Sequence, residues 1–407
     1  MVKRMTFKQF IFIIPLLCFI GVFSIYPIIT SCMYTLFDYR TNDQEYNSFY
    51  MNEKLNTSLL VEDCQYVNYF ISADITMVSE EDQAAFTEIM DSVTEVMNQY
   101  DGETTTRNMS AEETETIKGF IEKTTVDVKA IYDKYPDVEF YNRENIDTIL
   151  QNLSTCIVES NFTGVANFAK LFQDSRFWAA LAHTLIFMAL SVSIEFVLGM
   201  CLALIMNKAM KGIGIIRTIA LIPWAIPTAV SALIWSYLYD GSYGIISKAF
   251  ESIGLISSQA SMLLTVNGAM ASAVLSDVWK TTPYMALLLL AGLQVIDRGL
   301  YESASIDGAS PVKTFFSITL PLMKPSILVA LLFRTLDAFR VYDLIAILTN
   351  GGPGNGTETL SVYAYKLMFN QSNYGYGSTI VIGMFVCVAA IAILYVKVLG
   401  ADVLKND

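Results

Sequence analysis

Six long apolar segments constrain what this chain of 407 residues can fold into. A helix needs about 20 predominantly apolar residues to cross the hydrocarbon core of a bilayer. Segments of at least that length occupy residues 10–37, 179–206, 218–239, 268–296, 326–349 and 378–399. Charged residues make up 16% of the chain, whereas about 25% is usual in a soluble protein. The sequence therefore predicts an all-α membrane protein with six transmembrane helices.

A polar, acidic segment separates the first apolar segment from the second. Between Asp38 and Arg176 the chain has 27 acidic and 10 basic residues, whereas the remainder has 12 acidic and 16 basic residues. The segment has no apolar run long enough to cross a bilayer, and it is large enough to bury its own core. We therefore predict four regions: the N-terminus with the first helix at 1–37, a soluble domain at 38–176, a five-helix core at 177–400, and a tail at 401–407.

Two capping patterns predict helices in the soluble domain. Ser79 and Ser110 each precede acidic residues and then an amphipathic stretch. A third amphipathic stretch lies at residues 146–157. Residues 59–78 are rich in Val, Tyr and Ile but do not alternate cleanly, so this stretch stays open between helix and strand. The domain is predicted to be mostly helical.

The distribution of Lys and Arg predicts the orientation in the membrane. Cytoplasmic loops carry an excess of these residues. The short loops on one side carry only Lys248 and Lys366. The other side carries Lys3, Arg4, Lys8, Lys208, Lys211, Arg217, Arg298, Lys313, Lys324, Lys397 and Lys405. Both termini and the loop at 296–325 are therefore predicted to be cytoplasmic, and the acidic domain extracellular.

The loop at 296–325 contains the most specific motif of the chain. Residues 301–321 fit the pattern E-A-A-x3-G-x9-I-x-L-P, with Ser303 in place of the second letter. The matching positions are Glu302, Ala304, Gly308, Ile318, Leu320 and Pro321. This pattern resembles the coupling loop of type I ABC-importer permeases. The resemblance implies that the loop docks on a separate ATPase through Glu302, Ser303, Ala304, Asp307, Gly308 and Pro321.

The resemblance extends over about 60% of the chain. Residues 162–168, 222–227, 279–284 and 348–353 are similar to the first-permease (MalF-type) subunits of maltose-like sugar importers. The family implies a bacterial inner (cytoplasmic) membrane protein that pairs with a second, MalG-type permease. It also implies two ATPase subunits that bind ATP and Mg, an external solute-binding protein, and no cofactor in this chain.

The resemblance also implies a path for the sugar through the third, fourth and fifth spans. Positions carried over by motif are Trp224, Thr281, Tyr284 and Arg334. Aromatic rings suit a sugar because they stack on the apolar face of a pyranose. Arg334 departs from the small polar residue of the maltose permease, which weakens maltose itself as the substrate.

Ionisable residues at membrane depth are costly and are functional candidates. Asp277 lies in the fourth span. Arg334, Asp337, Arg340 and Asp343 follow one another at steps of three in the fifth span, and they fit either a structural charge ladder or a wet translocation path. For Glu195 in the second span we favour a structural pairing.

The remaining residues predict no catalytic site, no metal site and no nucleic-acid partner. The sequence has no G-x-x-x-x-G-K-[ST] phosphate loop, and its one histidine, His183, is expected to be a packing or interfacial residue. Cys64 and Cys156 are the only cysteines of the soluble domain at 38–176. They are open to two interpretations, a disulfide or two buried thiols.

The leading interpretation is an importer permease, embedded in the lipid bilayer, that moves a di- or oligosaccharide by alternating access. A stand-alone secondary transporter would be expected to show an inverted repeat with discontinuous helices, and the sequence indicates neither. A membrane-anchored receptor would need no coupling loop. Arg334 and Arg340 leave a polyol, a sugar phosphate or another anionic solute open.

Overall fold

The chain folds into two compact units. The computed structural model describes residues 7–43, 46–103, 106–208 and 212–403. The described residues of Met1–Leu36 and Val165–Asp407 form one unit, here called the membrane unit, and Phe37–Gly164 form the other, here called the inserted domain. Four cations used for the orientation prediction, Lys3, Arg4, Lys211 and Lys405, lie outside the described residues, as do residues 404–407 of the predicted tail.

The chain begins with an apolar helical segment. Helix α1 spans Phe7–Ile20, a π-helical turn spans Gly21–Ile25, and helix α2 spans Tyr26–Tyr34. Side chains of this segment, such as Phe19 and Phe23, are exposed on its surface. Exposed apolar side chains on a helix of this length are what a lipid environment requires.

The described residues of the inserted domain form four α-helices and a small sheet. Its elements are β1 (Lys54–Asn56), α3 (Thr57–Asp74), a 3₁₀ turn (Ile75–Met77), α4 (Glu80–Tyr100), β2 (Thr106–Asn108), α5 (Ala111–Asp133), α6 (Arg143–Thr155) and β3 (Ile157–Val158). The strands are antiparallel in the order β2-β1-β3. The hydroxyl groups of Ser79 and Ser110 accept hydrogen bonds from the amides of Asp82 and Glu113, so both predicted N-caps are confirmed.

The stretch left open at residues 59–78 is helical. Helix α3 starts at a cap in which the Asn56 side chain accepts a hydrogen bond from the Leu59 amide. Its buried residues Leu60, Cys64, Val67 and Ile71 recur at steps of three and four. That spacing places them on one face of a helix, which packs into the core of the inserted domain.

Helix α3 also buries a carboxyl group, which makes the stability of the inserted domain depend on pH. Asp63 is buried, and its Oδ2 atom has no hydrogen-bond partner among the described residues. Burial, assisted by the charge of Glu62, raises the pKa of Asp63 to about 6. Because the folded state holds this proton more tightly than the unfolded state, the stabilisation is complete below about pH 4 and is lost as pH rises to about 6.

We expect Asp63→Asn to raise the free energy of unfolding of the inserted domain by about 1–2 kcal/mol at pH 7, because no buried charge then forms. The gain should shrink at pH 4.5. Pulse proteolysis of the purified full chain measures it. Glu88→Gln, which changes an exposed carboxylate on α4, is the matched control and should have little effect. An equal gain at both pH values would contradict the assignment.

Cys64 and Cys156 are both fully buried and are free thiols in the structure. Burial raises the pKa of each thiol to about 12. The charge of Cys156 adds to the rise for Cys64, and the charge of Asp63 adds to the rise for both. The disulfide stays a prediction. It would close a loop of about 90 residues and stabilise the domain by about 4–5 kcal/mol in the chain-entropy model.

Alkylation of the unfolded chain without reductant, followed by intact-mass analysis, tests the disulfide. If the disulfide forms, four labels are expected, on Cys18, Cys32, Cys201 and Cys387, which are less buried. Labelling of the reduced protein at all six cysteines provides the control. Six labels before reduction would mean that Cys64 and Cys156 are two buried thiols.

The membrane unit continues with helices of very different lengths. These are α7 (Ala166–Gln173), α8 (Ser175–Asn207), α9 (Ile213–Ala225), α10 (Thr228–Leu238), α11 (Ile245–Ser252), α12 (Ser261–Leu264), α13 (Val266–Val295), α14 (Arg298–Ile306), α15 (Pro311–Thr314), α16 (Leu320–Leu322), α17 (Lys324–Phe339), α18 (Asp343–Leu348), α19 (Leu360–Tyr365) and α20 (Tyr374–Val403). Two π-helical turns, Phe315–Thr319 and Lys366–Asn370, follow α15 and α19.

The described helices include three that are long and apolar enough to cross a membrane, Ile13–Tyr34, Ser175–Met206 and Tyr374–Lys397. The count rises to six if each of three bent pairs forms one span. The pairs bend by 86° between α9 and α10, by 72° between α13 and α14, and by 70° between Pro311–Leu322 and α17.

Two predicted spans are therefore not continuous helices, and the expectation that discontinuous helices are absent is wrong. Within 218–239, helix α9 ends before Pro227, which has no N–H, and Ile226 is extended, as a residue before proline prefers to be. Within 326–349, helix α17 ends at Phe339 and α18 starts at Asp343. The four charges at steps of three consequently do not share one helix.

Helices α8 and α13 approach each other closely in the core of the membrane unit. A Cβ atom at Gly199 would lie 2.8 Å from Cγ of Met285. Only glycine fits such an approach without a shift of the neighbour. Glu195 lies one turn earlier on the same face of α8, so this contact brings its carboxylate to α13.

Candidate functional site

A buried ion network joins three helices of the membrane unit. Nε and Nη2 of Arg334 on α17 donate to Glu195 Oε2 and Oε1 on α8, at 2.5 and 2.9 Å. Nη2 also donates to Asp277 on α13, and Nη1 donates to Asp337 at 3.3 Å. Arg334 and Glu195 are at most 1% exposed. The structural pairing predicted for Glu195 is thus present.

Thr281 extends this network along α13. Its hydroxyl lies 2.7 Å from Glu195 Oε1 and 2.6 Å from the carbonyl oxygen of Asp277. Two buried carboxylates, one guanidinium and one hydroxyl therefore satisfy one another. A network of this kind contributes little net stability when intact, but removing one member leaves a buried charge without a partner.

The charge ladder of the fifth span divides into two parts. Arg334 belongs to the buried network, whereas Arg340 is 74% exposed at its side chain and pairs with Asp337, which is half-exposed, at 3.3 Å. The buried network fits the structural interpretation of Arg334, whereas the translocation path stays a prediction. Arg334 links helices, and Asp337 and Arg340 line an open space.

That space is a cavity of about 220 Å³. Six of the seven predicted path residues line it, namely Trp224, Asp277, Thr281, Arg334, Asp337 and Arg340. The seventh, Tyr284, stacks on Trp224, with ring centroids 5.6 Å apart and an interplanar angle of 12°. The lining contains three aspartates, Asp277, Asp337 and Asp343, and three cations, Lys280, Arg334 and Arg340. The lining therefore has no net charge that would favour anions.

Lys280 is a charged cavity residue that was not predicted from the sequence. Its ammonium group donates to the carbonyl oxygens of Trp224 and Ile226, at 3.2 and 2.6 Å. The signal was available, because a lysine inside an apolar span is a functional candidate on the same grounds as Asp277.

The predicted coupling residues lie on or near α14. Glu302, Ser303 and Asp307 are exposed, whereas Ala304 is buried. The helix ends in a Schellman motif: the amide of Ala309 donates to the Ala304 carbonyl at 2.9 Å, and that of Gly308 donates to the Ser305 carbonyl at 3.1 Å.

Gly308 adopts φ +70°, a backbone conformation that side chains other than glycine rarely tolerate. Pro321 lies in α16, just before the 70° bend. Ile306, the last residue of α14, was not predicted from the sequence, and its side chain is 87% exposed.

A second ion cluster stabilises the segment between α18 and α19. Glu358 is buried and accepts hydrogen bonds from Arg176 at 2.7 and 2.9 Å and from Lys366 at 2.8 Å. Burial opposes ionisation of Glu358, but these bonds outweigh it and hold its pKa below the usual value. His183 Nδ1 lies 3.3 Å from the Glu358 carbonyl oxygen, as expected of a packing residue.

Most of the membrane unit is similar in sequence to the permease proteins of known transport systems. Residues 195–403 match the family model described as "Binding-protein-dependent transport system inner membrane component". The chain is 47% identical to the trehalose/maltose transport system permease protein MalF of Thermococcus litoralis, over 60% of this chain and 82% of that protein. It is 41% identical to the trehalose transport system permease protein SugA of Mycobacterium tuberculosis, over 60% of this chain and 76% of that protein.

A third relative and a solved structure are named for other carbohydrate substrates. The chain is 35% identical to the sulfoquinovosyl glycerol transport system permease protein SmoG of Agrobacterium fabrum, over 59% of this chain and 77% of that protein. The fold is similar to a chain of a bacterial ABC transporter involved in the import of the acidic polysaccharide alginate. The TM-score is 0.53 at 26% identity, over 58% of this chain and 84% of that chain.

Proposed function

Because the chain belongs to the family of binding-protein-dependent transport system inner membrane components, we propose that it is the transmembrane permease subunit of an ATP-driven sugar importer. The observation that carries the proposal is the convergence of Trp224, Asp277, Thr281 and Arg334 on one cavity. Those residues come from three separate segments of the chain. Their meeting in one cavity is what a translocation path requires.

The lining favours a neutral di- or oligosaccharide. Trp224 is 45% exposed and offers a ring face to a pyranose, while the carboxylates accept hydrogen bonds from hydroxyl groups. The guanidinium nitrogens of Arg334 already donate to Glu195, Asp277 and Asp337. An anionic sugar would therefore find two further cations in the lining, Arg340, which is exposed, and Lys280, which is buried.

We further propose that a second, MalG-type permease completes the site. The cavity of about 220 Å³ is smaller than the roughly 300–1,000 Å³ of typical ligand sites. A sugar longer than one ring would need space beyond this chain. A two-permease path also gives the alternating-access motion an interface at which to open and close.

Energy would come from two ATPase subunits that bind ATP and Mg and dock on α14. The exposed Glu302, Ser303, Ile306 and Asp307 form the surface offered to them. The proposed orientation has this loop and both termini in the cytoplasm of a bacterial cell. The inserted domain would lie outside, where an extracellular solute-binding protein delivers the sugar.

Reconstitution of the chain with its cognate partners in liposomes tests the proposal. Uptake of labelled trehalose or maltose should require enclosed ATP and the binding protein, and Trp224→Ala should weaken it about tenfold. Trp178→Ala, which changes an exposed tryptophan outside the cavity lining, is the control. Uptake driven by a proton gradient without ATP would indicate a secondary transporter. Uptake restricted to sulfonated or uronic sugars would overturn the neutral substrate.

A further inference from the structure

The break between α9 and α10 leaves backbone carbonyl groups to be satisfied inside an apolar span. The last carbonyls of a helix have no donor within the helix. Pro227, directly after the break, has no N–H to offer. At membrane depth an irregular backbone persists only where it is buried in protein or lines a cavity, so that other groups can satisfy it.

Lys280 supplies that donor from α13. Its ammonium group lies 2.6 Å from the carbonyl oxygen of Ile226 and 3.2 Å from that of Trp224, and the residue is 7% exposed. A cation at a helix C-terminus also interacts favourably with the helix dipole. The contact therefore joins α13 to the end of α9 at the bend.

The same two segments meet again through their rings. Tyr284 lies four residues after Lys280, one helical turn further along α13, and stacks on Trp224 at 5.6 Å. Lys280 thus holds the backbone of Trp224 while Tyr284 holds its ring. Thr281, the neighbour of Lys280, fixes α13 to Glu195 on α8.

We propose that Lys280 is a positioning residue that holds the bend between α9 and α10 against α13 and so sets the Trp224 ring over the cavity. It acts on the substrate through Trp224. The inference rests on the proposed function, because the ring is useful only if a sugar stacks on it. The arrangement itself can be tested without substrate.

The test compares Lys280→Met and Lys280→Arg in the assembled transporter. The first variant should raise the KM for sugar uptake about tenfold with the maximal rate changed less than twofold. The second, which keeps a cationic donor, should restore KM to within about threefold. Lys248→Met removes the same charge from an exposed site on α11 and should leave KM unchanged.

A spectroscopic measurement separates this inference from the proposed function. With 5-fluorotryptophan incorporated, the ¹⁹F spectrum should show four tryptophan signals, and Trp224→Phe assigns one of them. In the absence of sugar, Lys280→Met should shift or broaden the Trp224 signal and leave the Trp178 signal unchanged.

A change in all four signals, or an unchanged Trp224 signal, would overturn the positioning role. Failure of sugar uptake by the unmodified protein would overturn only the proposed function. If Lys280→Met does not assemble, Lys280→Gln is measured in the same way.

Discussion

Arg334→Met should destabilise the membrane unit by about 3–5 kcal/mol, because it leaves Glu195 and Asp277 buried without a cation. Glu195 is fully buried, and its carboxylate receives two hydrogen bonds from the guanidinium. The expected result is a large loss of folded, monodisperse protein after extraction in detergent. Thermal unfolding followed by size-exclusion fluorescence measures it.

Neutralising the partners should rescue the variant. Arg334→Met combined with Glu195→Gln and Asp277→Asn removes the uncompensated charges and should recover most of the lost yield. Arg340→Met is the matched control, since it removes the same type of side chain, 74% exposed, six residues along the chain. A loss of yield from Arg340→Met as large as that from Arg334→Met would contradict the role assigned to the network, as would a triple variant no better than the single one.

The network also accounts for an arginine where the maltose permease has a small polar residue. If Arg334 met the sugar, its hydrogen-bonding groups would have to be free, and they donate to carboxylates on three helices. The residue therefore bears on helix packing more than on substrate choice. The departure at Arg334 therefore carries less weight against maltose as the substrate than the sequence suggested.

The helical fold followed from the sequence because the length of an apolar run is fixed by bilayer thickness. The bends were harder to predict, since an apolar run looks the same whether its backbone is continuous or broken. Pro227 was a visible signal, because a proline ends or kinks a helix at the preceding residue. No comparable signal marked the break at Arg340–Tyr342, where tertiary contacts decide the backbone.

The pairs of side chains that interact in the candidate site could not be predicted from the sequence alone. Glu195 and Arg334 are 139 residues apart in sequence, and only the packing of α17 against α8 in the folded chain brings them together. The small sheet of the inserted domain was missed for the same reason, as β1 pairs with β2 and β3, which lie far along the chain. Local patterns predict the elements, whereas these pairings depend on the folded chain.

Ile306→Asp should reduce sugar uptake at least 100-fold while leaving the stability of the membrane unit unchanged. The side chain is 87% exposed at the end of α14, so a charge there has no cost in the isolated chain. It is costly only if a partner covers the residue, because the interface would then bury an unpaired carboxylate. Parallel measurements of uptake, ATP hydrolysis and thermal unfolding in the reconstituted transporter separate these effects.

The control for Ile306→Asp is Ile253→Asp, which places the same charge at a residue of similar exposure, 68%, outside the loop at 296–325. It should transport normally. Gly308→Trp should reproduce the loss of uptake by another route, because a side chain at φ +70° displaces the end of α14 without touching the cavity. Loss of transport with ATP hydrolysis retained would mean that α14 transmits the work of the ATPases. Normal uptake by both loop variants would contradict a role for α14 in coupling, because the ATPases would then tolerate both a charge at Ile306 and a displaced end of α14.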